Sequence, residues 1–296
     1  MTDRSEYYQY EREKNQLDIT ANSGFFSICT VTLQALTRIY PSEKYVSVNW
    51  PFQNEWRNKD HVGLNLFELY FNPNKAVDIK CFTRLSTIGM YSIYEDLDFD
   101  RVRAYVENYF IPSDIILRKQ EELIHKYAID YETTIGLCYR ATNKWFEVAQ
   151  IQPGYFVEEA RQLLAKNSKL RVLVQTDQKQ VRDLCVRELG ERAFYLTELP
   201  VTTSTIGVHH MSEAQKGISN FEHGVCVLAA VNILARCKYV ITHTGGVGLW
   251  TYLLRGTARN TCQLRPGAPD VFSRFDGEVG IRRATMKRLR KIIINN

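Results

Sequence analysis

The chain has 296 residues, 45% hydrophobic, 24% charged and 12% aromatic, an ordinary globular composition long enough for two domains of roughly 100–200 residues each. Thirty-eight basic against 33 acidic residues leave a formal charge of only +5, which is a weak argument for nucleic acid and is compatible with a small anionic ligand. No apolar run approaches the ~20 residues of a bilayer span, residues 1–16 are too polar for a signal peptide, and seven scattered cysteines with no C-x-x-C pair suit reduced thiols, not a disulfide framework or a zinc site. A soluble, cytoplasmic protein with no metal is expected.

In chain order, residues 19–27 read as a short strand running into a turn at Gly24. Residues 28–40 place Val31, Leu33, Leu36 and Ile39 at helical spacing and stop before Pro41. A strand at 45–49 leads into 51–73, where aromatic, amide and charged residues mix as in surface loops around a site. Trp50, Phe52, Trp56, Tyr70 and Phe71 suit sugar stacking there, and ordinary core packing accounts for them equally well. Helices are predicted at 99–110 and 114–127, the second after the start signals Pro112 and Ser113.

The second half is more regular. Residues 134–139 form a continuous apolar run, as in a strand buried on both faces. Helix 153–166, strand 170–175, helix 179–189, strand 193–196, helix 225–236, strand 239–242, helix 249–255 and strand 260–264 follow. Strands alternating with helices of this length predict a parallel, doubly wound sheet whose ligands sit at the carboxyl ends of its strands. The expected fold class is therefore α/β, with domains 1–131 and 132–296. Arg282, Arg283, Lys287, Arg288, Arg290 and Lys291 near the end read as a solvated helix in preference to a binding patch.

Polar groups gather just after these strands. Arg140 ends the first, with Thr142, Asn143, Lys144 and Glu147 beyond it. Thr176 and Asp177 end the second. His243, Thr244, Gly245, Gly246 and Val247 end the fourth and open a helix. A Gly-Gly turn at a helix N-terminus exposes backbone N–H groups that suit a phosphate. A guanidinium opposite that turn can clamp the same diphosphate bidentately. Taken singly, each feature is more readily a tight turn, a helix cap or a charged strand end, and His209 and His210 can be merely solvent-exposed. Their convergence on one edge of one sheet favours a site.

The segment I-G-L-C-Y-R-A-T-N-K-W-F-E resembles the signature of the fucosyltransferase-like superfamily, Gly-Val-His-x-Arg-[Arg/Gly]-Thr-Asp-Lys with a Glu three residues on. Gly136, Arg140, Thr142, Lys144 and Glu147 match it without gaps. V-L-V-Q-T-D is similar to that group's second strand, G-V-C-V-L-A-A-V-N-I-L-A-R-C-K-Y-V-I-T-H-T-G-G-V-G-L-W to its last motif, and N-S-G-F-F-S to the turn opening its acceptor domain. The resemblance covers about residues 19–256. It implies a GT-B architecture, two Rossmann-like domains facing across a donor cleft. It further implies inverting, metal-independent transfer from a nucleotide-sugar to a carbohydrate or glycan acceptor, the nucleotide-sugar being a co-substrate and no cofactor being needed. Arg140 would hold the diphosphate and Glu147 would act as base or acceptor orienter. Gly24, Cys138, Tyr139, Lys144, Asp177, His209, His210, His243, Thr244, Gly245, Gly246 and Val247 would line the donor site.

Three positions depart from the pattern. Cys138 stands for the motif His, Asn143 for the motif Asp, and Ala230 for an Asp on the later helix. The His and the helix Asp help to read guanine in family members, so either the backbone reads the base here or the base is not guanine. GDP-fucose is the donor by analogy, and a UDP-sugar such as UDP-xylose is its rival. Two other classes compete: a catalytically silent nucleotide- or carbohydrate-binding module, supported by the eroded motif, and a dehydrogenase or methyltransferase, opposed by the lack of G-x-G-x-x-G after the first strand of either domain.

Overall fold

The computed structural model describes residues 2–4, 6–40, 44–83, 85, 88–140, 151–265, 270–275 and 278–283. Its N-terminal half carries strands β1 (Thr2–Arg4), β2 (Tyr8–Glu11), β3 (Gln16–Ile19) and β4 (Ser47–Asn49), with helices α1 (Phe25–Ile39), α2 (Leu66–Tyr70), α3 (Phe99–Tyr109) and α4 (Asp114–Lys126). The C-terminal half runs β5 (Thr134–Tyr139), α5 (Pro153–Lys166), β6 (Arg171–Thr176), α6 (Lys179–Leu189), β7 (Ala193–Phe194), α7 (Glu213–Lys216), α8 (Asn220–Arg236), β8 (Tyr239–His243), α9 (Gly246–Arg255), β9 (Thr261–Leu264), β10 (Asp270–Phe275) and β11 (Glu278–Arg283).

The second sheet has the order β11-β10-β9-β8-β5-β6-β7. Its five strands from β9 to β7 are parallel, and β10 and β11 add an antiparallel hairpin at one edge. Strand order reverses between β5 and β8, which is where an open α/β sheet makes its crevice. β5 is buried along its whole length, and its side chains alternate between two cores. Ile135, Leu137 and Tyr139 join the core under α5 and α6, whereas Cys138 joins the larger core shared by α8, α9 and the N-terminal half. Gly136 is the closest point of that second face: an added Cβ would stand 2.8 Å from Leu234 Cδ2 of α8.

The N-terminal sheet is small and mixed, with order β1-β2-β3-β4 and parallel pairing only between β3 and β4. The strand expected at 19–27 is corrected: it is β3, which ends at Ile19 and pairs with β2 (Tyr10 with Leu17) across a turn at Asn15, in the left-handed region at φ 50°. Helix α1 starts directly after Gly24, three residues earlier than its apolar spacing suggested. The stretch expected as surface loops at 51–73 carries α2; of its aromatics and Trp50, core packing holds for Trp50, Tyr70 and Phe71, Phe52 is exposed, and Trp56 lines the cleft. The helix expected at the basic tail is a strand where it is described, at Arg282 and Arg283, and Lys287, Arg288, Arg290 and Lys291 lie outside the described residues.

One apolar core runs through both halves. Phe26 stacks on Trp250 with centroids 6.2 Å apart, and Phe110 packs on the same indole at 4.6 Å. The indole N–H of Trp250 donates to Thr30 Oγ1 at 2.9 Å, so the polar edge of that buried ring is satisfied across the junction. Tyr70 donates to the Trp56 carbonyl at 2.7 Å and lies against Gly224 of α8, where a Cβ would stand 2.2 Å from its hydroxyl. No helix among the described residues is long and apolar enough to cross a membrane.

Candidate functional site

The ends of β5 and β6, the turn before α1 and the first turn of α9 meet at a cleft of about 650 Å³, open solvent at its mouth included. Cys138, Tyr139 and Arg140 enter it from β5, Gln175, Thr176 and Asp177 from β6, Gly24 from the turn and Val247 from α9, with Trp56, His209 and His223 in the wall. The cleft therefore lies between the two halves and at the carboxyl ends of parallel strands.

Arg140 is the charged centre of this space. Its Nε lies 3.5 Å from Asp177 Oδ2, and the two side chains are 21% and 17% exposed. The guanidinium tips face Gly24, where an added Cβ would stand 3.8 Å from each terminal nitrogen. A glycine there keeps the approach to both tips open. A half-buried guanidinium, braced on one side and open on the other, is a donor fork for a bidentate anion.

The rest of the wall is aromatic and neutral. Trp56 stacks with His209 at 5.9 Å and with His223 at 5.4 Å. Burial, reinforced by nearby cations that include Arg140, pushes both imidazoles down to about 3, so neither is charged near neutral pH. His223 Nδ1 and Gln175 Oε1 are buried with no hydrogen-bond partner among the described residues, which leaves polar groups for a ligand to satisfy. Burial, then the Asp177 charge, lifts the Cys138 thiol to about 12, so it is a neutral, weak donor where the motif has a histidine. Tyr139 donates to the Ile151 carbonyl at 3.0 Å and ties the end of β5 to the chain entering α5.

The turn after β8 departs from expectation. Thr244, Gly245 and Gly246 were placed opposite Arg140 as a phosphate cradle, with His243 beside them, but all four are buried and none lines the cleft. The Gly245 N–H donates to the Tyr94 hydroxyl at 2.7 Å, and Gln263 Nε2 donates to Thr244 Oγ1 at 3.0 Å. A Cβ on Gly246 would stand 3.2 Å from Phe26 Cβ. Side chains of the N-terminal half thus occupy the turn, and only Val247 reaches the cleft. Lys144 and Glu147, with Thr142 and Asn143, lie outside the described residues.

His209 and His210 part company. His209 is buried in the cleft wall, whereas the His210 side chain is 46% exposed and bonds Glu55 Oε1 through Nδ1 at 2.8 Å. Glu55, His209 and His210 each bring one potential ligand atom within 4.8 Å of the others. Sequence reasoning passed over Gln175, His223 and Glu55. The capping signal Ser219-x-x-Glu222 marks the true start of α8 and would have put His223 in its first turn; Ser219 Oγ accepts from the Glu222 N–H at 3.1 Å.

No protein-family model matches the chain, and no curated protein matches it in sequence. Solved structures do match. An alpha-1,6-fucosyltransferase, NodZ, soaked with GDP-fucose superposes with a TM-score of 0.53 at 15% identity, over 86% of this chain and 97% of that one. NodZ co-crystallised with GDP gives 0.54 at 16% identity, over 84% and 94%. A fucosyltransferase NodZ from Bradyrhizobium gives 0.50 at 15%, over the same shares. At such identity the likeness is one of fold, and the α/β architecture is that of the GT-B fucosyltransferases.

Proposed function

We propose that this chain is a glycosyltransferase that moves one sugar from a nucleoside-diphosphate donor to a hydroxyl of a carbohydrate acceptor. The observation that carries this reading is Arg140, a braced and half-buried guanidinium aimed into a cleft between the halves of a GT-B fold. Structures of that fold have been obtained with GDP-fucose and with GDP in NodZ. In this chain Arg140 would neutralise the diphosphate as it leaves, which makes the transfer metal-independent in its chemistry. Attack from the opposite face of the sugar would invert the anomeric centre, with Glu147 taking the acceptor proton.

The donor base is the finer part of the proposal. Cys138 is a neutral thiol, and Ala230 carries no polar group. Gln175 Oε1 and His223 Nδ1 are the unpartnered buried polar atoms of the wall. A base offering a ring N–H, as guanine and uracil both do, would pair with such an acceptor. Neither GDP-fucose nor a UDP-sugar is preferred on this ground.

The reading is tested by incubating the chain with GDP- and UDP-sugars and an array of glycan acceptors, following sugar transfer and donor hydrolysis. Transfer from one donor, abolished by Arg140→Ala, is the expected result. Tight nucleotide binding without transfer or hydrolysis from any donor would favour a silent binding module, which the departures at Cys138 and Ala230 also suit.

A further inference from the structure

A second cluster beside the cleft joins the two halves of the molecule. Glu55 lies in the short turn Asn54–Trp56 of the N-terminal half, and His209 and His210 lie in the turn Val208–His210 of the C-terminal half. One potential ligand atom from each lies within 4.8 Å of the others. Ligand atoms around one tetrahedral ion at ~2.0–2.2 Å stand about 3.3–3.6 Å apart, so side-chain rotations that close the group by up to about 1.5 Å would bring all three onto one centre.

Several features exceed what a surface ion pair requires. Glu55 Oε2 is buried with no hydrogen-bond partner among the described residues, although Oε1 already meets His210 Nδ1. The two imidazole centroids are 3.9 Å apart. Both rings lie close to Gly207, where a Cβ would stand 2.7 Å from His209 Cε1 and 3.5 Å from His210 Cδ2, so the glycine makes room for them. Trp56 stacks on His209 and holds that ring in place.

We infer that Glu55, His209 and His210 form a site for one divalent transition-metal ion. Two imidazoles and a carboxylate match zinc best, with any further position filled by solvent. Arg140 and Lys216, whose charges act on His209, oppose a doubly charged ion, and Glu55 offsets them in part. That balance predicts weaker binding than in dedicated structural zinc sites. The ion would tie the 54–56 turn to the 208–210 turn and so fasten the two halves beside the cleft. The site does not rest on the transfer proposed above, and it stands whether or not a nucleotide binds.

Zn2+ titrated calorimetrically into the metal-free full chain tests this, with Co2+ absorption as a second readout. One equivalent of Zn2+, visible d–d bands from Co2+, and at least tenfold weaker Zn2+ binding in both Glu55→Gln and His210→Ala are expected. Each variant is first shown to be folded by its circular dichroism and its melting midpoint in EDTA. No binding to the wild type overturns the site. So does binding that survives in either variant, since that places the ion elsewhere, for example on the exposed Cys81.

Discussion

Arg140 Nε stands 3.5 Å from Asp177 Oδ2, each residue following the last position of its own parallel strand. Tyr139 pairs with Thr176 in the register of β5 and β6, so the next residue of each strand emerges at the same height on the same sheet edge. The brace on the guanidinium is thus a product of strand register, and the loop beyond Arg140 is not needed to make it. At that distance and partial exposure the pair contributes little stability, about 0–1 kcal/mol. Its consequence is the orientation of the open side of Arg140 toward Gly24.

Gly24 therefore controls access. Its φ of −57° is open to any residue, and an added Cβ meets only ordinary contact distances. Gly24→Leu is expected to fold with a stability within about 1 kcal/mol of wild type, yet to lose at least tenfold in nucleoside-diphosphate affinity as the side chain grows over the Arg140 tips. Thermal unfolding and calorimetry on the same preparation separate the two effects. Undiminished binding in a folded Gly24→Leu protein would place the anion elsewhere.

Gly248 is a contrasting case. A Cβ there would lie 2.2 Å from the His243 carbonyl oxygen and 2.4 Å from Thr242 Oγ1. The nearer obstacle is backbone, so α9 must shift away from β8. Gly248→Ala is expected to cost about 3 kcal/mol, read as a lower midpoint in urea unfolding. A midpoint equal to wild type would show that α9 packs less closely on its strand.

Stability should fall with acid through two histidines. His209 and His223 have an ordinary value of 6.5 and are pushed to about 3 in the fold. Between those values the unfolded chain binds protons that the folded chain refuses, so stability present above about pH 6.5 is lost as pH falls toward 3. Each group contributes up to about 1.4 kcal/mol per pH unit. His223→Gln removes one of them, so the stability advantage of wild type over this variant should shrink by about 2 kcal/mol between pH 6.5 and 4.5. Parallel pH profiles for the two proteins would mean that His223 is not held neutral.

Glu147, the proposed base, should separate turnover from binding. Glu147→Gln is expected to lower the transfer rate roughly 10²–10⁴-fold while donor affinity stays within about threefold. Steady-state rates and equilibrium titration report the two quantities independently. Equal activity would remove Glu147 from the chemistry.

The parallel half was legible because its strands are buried on both faces and its helices lie between them. The runs at 134–139 and 239–243 carry that signal directly. The N-terminal hairpin was not, although Tyr8, Tyr10, Leu17 and Ile19 alternate inward, because Glu6, Glu11, Arg12, Glu13 and Lys14 dilute the pattern. Arg140 and Asp177 were legible as residues that end strands. What covers the Gly245 turn was not, since its partner Tyr94 is 151 residues away in sequence. The same holds for Glu55, which meets His210 across 155 residues. Periodicity speaks to the elements, whereas the pairing of one half with the other rests on contacts that no local pattern encodes.

The central claim is that Arg140 holds the diphosphate of a nucleotide-sugar. Calorimetric titration of GDP, UDP and ADP into wild type and Arg140→Ala, in EDTA, tests it most directly. One diphosphate should bind the wild type preferentially and lose at least tenfold, about 1.4 kcal/mol, in the variant. Binding of equal strength in both proteins, or no binding of any nucleotide to the wild type, would contradict it.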